Sequence, residues 1–136
     1  MTKIIRDFIF CIFFLLSIES PAETEGYICK IIEIQELNKS GRFIQYEGLY
    51  KQFIGTSFSI DRTSGKVIGF PFSNESYKEI RVLSRGSKEN SFKQIAVSHP
   101  PNIWIQYLYV AEYEEGPKKP FWGTTDGDYI YSGNCQ

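Results

Sequence analysis

Residues 57–70 read Ser57-Phe58-Ser59-Ile60-Asp61-Arg62-Thr63-Ser64-Gly65-Lys66-Val67-Ile68-Gly69-Phe70. Phe58 and Ile60 fall on one side of an extended chain, and Ser57, Ser59 and Asp61 on the other. That period of two marks a half-buried strand. Thr63-Ser64-Gly65 interrupts the pattern, and residues 66–70 resume it as a second short strand. Gly65 is expected to supply the positive φ of the turn. The stretch reads as an antiparallel hairpin.

Upstream, residues 27–37 (YICKIIEIQEL) are strand-like, with Cys29, Ile31, Ile32 and Ile34 spread over both faces. Downstream, residues 78–84 (KEIRVLS) alternate with Ile80 and Val82 inward, and residues 91–98 (SFKQIAVS) follow a polar turn. Residues 103–113 (IWIQYLYVAEY) form the strongest strand, apolar on both faces and rich in aromatic and β-branched side chains, as at the centre of a sandwich or a barrel wall. Residues 120–134 hold a last ribbon around Thr125-Asp126-Gly127-Asp128. Only residues 43–54 allow a short helix: Phe43, Tyr46, Leu49, Tyr50 and Phe53 recur at three- and four-residue spacing, and Gly48 weakens the pattern. The expected fold is mainly β, a small antiparallel β-barrel or sandwich of about seven or eight strands.

The N-terminus reads as something other than fold. Lys3 and Arg6 precede the apolar run 8–18 (FIFCIFFLLSI), and Ser20-Pro21-Ala22 offers a small-x-small cleavage site. This is the three-part pattern of a secretory leader over residues 1–22, with an exported domain over residues 23–136. At about 1.5 Å per residue the run covers only about half of a roughly 30 Å hydrocarbon core, so no membrane span is expected after cleavage. Cys11 lies inside the apolar run, without the small residues that precede a lipidated cysteine.

With Cys11 leaving with the leader, Cys29 and Cys135 remain, 106 positions apart. An even count in an oxidising compartment reads as a disulfide. Closing so long a loop is worth roughly 4–5 kcal/mol in the chain-entropy model. The alternatives are two free thiols or half of a metal site, for which a chain with one histidine offers few further ligands. The formal net charge is −1 and the charges are interspersed, so no nucleic-acid partner is expected.

Four strings, Tyr27-x-Cys29, Phe58-x-Ile60-Asp61-Arg62-x-x-Gly65-x-Val67-Ile68-Gly69, Asn90-Ser91-Phe92-Lys93 and Ser132-Gly133-x-Cys135, resemble a widespread group of small exported bacterial β proteins. That resemblance implies an envelope location and no particular activity. The frame Tyr27, Cys29 and Cys135, with Phe121-Trp122-Gly123, is also similar to the periplasmic inhibitors of c-type lysozyme. It implies a small β-barrel, but the Ser-Gly-x-x-Tyr string of their inhibitory loop has no counterpart here.

No catalytic residues are nominated. His99, in His99-Pro100-Pro101, reads as a loop residue with no nucleophile or orienting group in a recognisable motif. Asp61 and Arg62 form a candidate binding loop, with local turn chemistry as the plainer reading. Asp126-Gly127-Asp128 lacks the distal bidentate glutamate of a calcium loop and reads as a hairpin turn. Asn38-Lys39-Ser40 and Asn74-Glu75-Ser76 fit the glycosylation pattern, which matters only in a eukaryotic host. Trp104, Tyr107, Tyr109, Phe121 and Trp122 form a candidate binding patch, since Tyr and Trp suit such surfaces. No metal or cofactor is expected. The sequence points to a non-enzymatic periplasmic or secreted binding module for a protein partner or a small apolar ligand, one version being an inhibitor of a hydrolase or toxin. A structural envelope component and a carboxylate-based hydrolase are the other classes.

Overall fold

The computed structural model describes residues 26–136; the leader expected over residues 1–22, with Cys11 and the expected mature start at Glu23, lies outside the described residues. The hairpin predicted at residues 57–70 is present as β3 (Ser57–Asp61) and β4 (Val67–Ile68), with Gly65 at φ 75° in the turn. Around it run β1 (Gly26–Leu37), β2 (Phe43–Gln45), β5 (Glu79–Arg85), β6 (Phe92–Val97), β7 (Ile105–Val110), β8 (Lys119–Thr125) and β9 (Tyr129–Cys135). All pairings are antiparallel, in the order β4-β3-β1-β9-β8-β7-β6-β5, with β2 added on β1. The sheet curls into a half-barrel whose two open edges are β4 and β5.

The segment 43–54 divides between strand and helix. Phe43 and Ile44 pair with Leu37 and Glu36, and only Leu49–Phe53 turns, as a single 3-10 helix. Its aromatic spacing is used for packing between loops rather than for a helical stripe: Tyr50 meets Tyr129 edge-on at 5.4 Å, and Phe53 stacks on Phe70 at 3.8 Å.

The concave face carries the core. Cys29, Ile31, Phe58, Ile60, Phe92, Leu108, Val110 and Phe121 are buried there. A β-bulge between Ile31 and Glu33 explains why apolar residues on both phases of β1 were legible. Before it the odd-numbered Cys29 and Ile31 point inward; after it Ile34 does, while Ile32 stays outside. Cys29 and Cys135 are register partners on β1 and β9 and are joined by a disulfide. Phe72, from the connection between β4 and β5, plugs the half-barrel against Phe58 and Tyr131, with ring centroids 5.0 and 5.4 Å away. Gly123 leaves room for it: a Cβ there would sit 2.9 Å from the tip of the Phe72 ring.

Strand β7 departs from the two-sided burial expected of residues 103–113. Gln106, Leu108 and Val110 are buried, but Ile105 is about half exposed and Tyr107 and Tyr109 are only half-buried. Among the described residues no second layer covers the outer face, so aromatic residues lie on it exposed or half-buried. Three fully buried polar side chains sit inside. Asn74 is satisfied: it accepts from Val67 N and donates to Gly65 O, acting as a strand partner for β4. Its burial also removes Asn74 as a glycan acceptor. Gln94 and Gln106, on one face of the β6–β7 pair, keep both amide atoms without hydrogen-bonding partners.

Candidate binding cleft

At one end of the half-barrel, four segments distant in sequence converge. The 3-10 turn brings Tyr50, the β4–β5 connection brings Phe70, Pro71 and Tyr77, and the approach to β7 brings Trp104. The β8–β9 hairpin supplies Thr125, Asp126, Asp128, Tyr129 and Tyr131. Together they line a cleft of about 290 Å³, near the lower end of the size range of small-molecule sites.

The hairpin is held by its backbone. Asp126 and Gly127 have φ of 59° and 84°, the paired positive values of a tight Asp-Gly turn. Thr124 Oγ1 accepts from Gly127 N, and Asp126 N donates to Ile105 O. The turn reading of Asp126-Gly127-Asp128 is thus realised, and its geometry presents both carboxylates to the cleft. Neither carboxylate forms an ion pair or accepts a side-chain hydrogen bond among the described residues.

Burial raises the phenol pKa of three cleft tyrosines. For Tyr77, Asp126 adds to the effect of burial; for Tyr129, neighbouring tyrosines and then carboxylates do. Tyr131, only 1% exposed, is pushed up to about 12, chiefly by burial. These phenols are neutral hydrogen-bonding groups at physiological pH.

The five aromatic residues nominated as one patch separate into three places. Trp104 is 53% exposed and forms part of the cleft wall. Tyr107, Tyr109 and Trp122 form a cross-strand cluster on the outer face, with Trp122 5.2 Å from Tyr107 and 6.1 Å from Tyr109. Tyr113 extends it through a 3.1 Å hydroxyl contact with Tyr109. Phe121 is a correction: it is 3% exposed and packs edge-on against Phe58, because consecutive residues of β8 point to opposite faces.

At the Asp61–Arg62 loop Asp61 does turn chemistry, and Arg62 bonds far along the chain rather than locally. Asp61 accepts from the amides of Thr63 and Ser64, and these bonds, Ser64 first, hold its carboxyl below the usual range. Arg62 is no charged tip. It is 7% exposed, donates to the carbonyls of Arg85 and Gly86, and lies over the Tyr27 ring at 5.1 Å.

Tyr50, Phe70 and Tyr77 were not singled out as site residues. Tyr50 carries the helical spacing of residues 43–54 and Phe70 ends the predicted hairpin, but neither pattern points to a ligand site, and Tyr77 lies in an irregular segment with no periodicity to assign it a face. No family model, curated protein or solved structure matches this chain.

Proposed function

We propose that the protein is a non-enzymatic exported binding module whose ligand site is the cleft at Trp104. The carrying observation is the convergence of aromatic rings from four segments around a cavity of about 290 Å³. A ring such as that of Trp104, more than half exposed at the wall of a concave site, is poorly used by folding and well placed for a ligand. The β8–β9 hairpin and the Phe72 plug hold the lining on a rigid frame, which lowers the ordering cost of binding. The Cys29–Cys135 disulfide supports an oxidising compartment and hence export. Among the described residues no helix is long and apolar enough to cross a membrane.

The test is a ligand-observed NMR screen of ammonium compounds, neutral sugars and neutral aromatic fragments. Compounds that bind the native protein lose binding in Trp104→Ala and keep it in Trp122→Ala. Trp104 is exposed enough for its truncation to leave the fold intact. An absence of binders, or binders indifferent to Trp104→Ala, overturns the reading.

A further inference from the structure

The charge of the cleft narrows its ligand. Asp126 and Asp128 line it, and among the described residues no lysine, arginine or histidine does. Neither carboxylate is neutralised by a side chain of the described protein. The remaining lining is rich in aromatic rings, whose faces are electronegative and attract cations. An anionic ligand would meet two like charges and no donor cation. A purely apolar ligand would leave the carboxylates without a role and partly desolvate them. A cation satisfies both components at once: its charge meets the carboxylates and its alkyl groups meet the rings.

We infer that the cleft takes the alkylammonium head group of an organic cation, held against Trp104, Tyr50 and Tyr129 and neutralised by Asp126 and Asp128. This rests on the reading of the cleft as the binding site. The shared chemistry has two sources, a free small ammonium compound or a lysine side chain of a partner protein. The influence of Asp126 on the Tyr77 phenol is consistent with the negative field the inference requires.

The experiment uses the Trp122→Phe protein, in which Trp104 is the sole tryptophan and its fluorescence reports the cleft. Choline is titrated against its neutral isostere 3,3-dimethylbutanol. Choline is expected to saturate the signal at a concentration at least about tenfold lower than the isostere. Adding Asp126→Asn and Asp128→Asn, which keep size and tolerate the left-handed turn, removes that difference. Nα-acetyl-lysinamide forms the second arm: tighter binding than choline assigns the site to a lysine side chain, weaker binding to a free ammonium compound, and both support the inference. Equal binding of choline and isostere, or saturation by a neutral disaccharide alone, overturns the cation while leaving the cleft a binding site. No response to any probe overturns both.

Discussion

The Arg62 guanidinium is bonded to the backbone of Arg85 across the open seam of the half-barrel. Its Nε and Nη2 donate to Arg85 O at 3.0 and 2.9 Å, and Nη2 also donates to Gly86 O at 3.0 Å. Arg62 follows β3 and Arg85 ends β5, the opposite edge strand. Where ladder hydrogen bonds would close a barrel, the buried Arg62 side chain bridges the gap here, beside an exposed bond from Arg85 Nη2 to Thr63 Oγ1 at 2.8 Å, and it also occupies part of an otherwise unpaired sheet edge.

Arg62→Ala is therefore expected to lower stability by about 3 kcal/mol, through lost charge-assisted bonds and carbonyls left without partners. Arg62→Lys recovers only part, since an ammonium does not reproduce the fork. Urea unfolding measures both. A midpoint unchanged in Arg62→Ala contradicts the seam.

Reduction of the Cys29–Cys135 bond is expected to cost roughly 4–5 kcal/mol by the chain-entropy account. The two cysteines join neighbouring strands near both ends of the described residues, so reduction also frees the C-terminal end of β9 to fray. Denaturant unfolding with and without reductant checks this, and coincident curves contradict it.

Gln94→Leu and Gln106→Leu are each expected to stabilise the fold by about 1 kcal/mol, because each replaces a buried amide lacking partners with an apolar group of similar length. Thermal unfolding decides, with Tm expected to rise. A fall in Tm would show that the amides are satisfied in solution.

Much of this fold was legible because it follows from alternation. The hairpin around Gly65, the strands from β5 to β9 and the disulfide partners follow from period two, turn residues and an even cysteine count. What alternation does not convey is which face meets a second layer. Tyr107 and Tyr109 look like core in a one-dimensional pattern, and only the curl of a single sheet leaves them outside. Of the cleft lining, only Trp104 stands out in the sequence as a candidate site residue; Asp126-Gly127-Asp128 reads there as a hairpin turn and no more. Tyr50, Phe70 and Tyr77 come from irregular segments, and their convergence depends on tertiary contacts. For Arg62 the sequence offers only a loop tip or a local turn pairing, because its buried role is set by Arg85 and Gly86, more than twenty positions away.

Tyr131 gives a pH signature. Its folded-state pKa of about 12 lies above the ordinary value of 10, so the folded state holds this proton more tightly than the unfolded chain. Its contribution is full below pH 10 and is lost as pH rises toward 12. Tyr131→Phe flattens this decline. Denaturant midpoints measured across that range test it, and a decline of equal size in the variant contradicts the assignment.

Trp104 and Trp122 are the two tryptophans, one in the cleft and one on the outer face. Their indole N–H resonances in a nitrogen-edited NMR spectrum therefore report the competing sites side by side. On titration with choline the account predicts saturable movement of the Trp104 resonance while that of Trp122 stays fixed. Movement of Trp122 alone would contradict the cleft as the site where this protein binds, and movement of neither would contradict its preference for an ammonium head group.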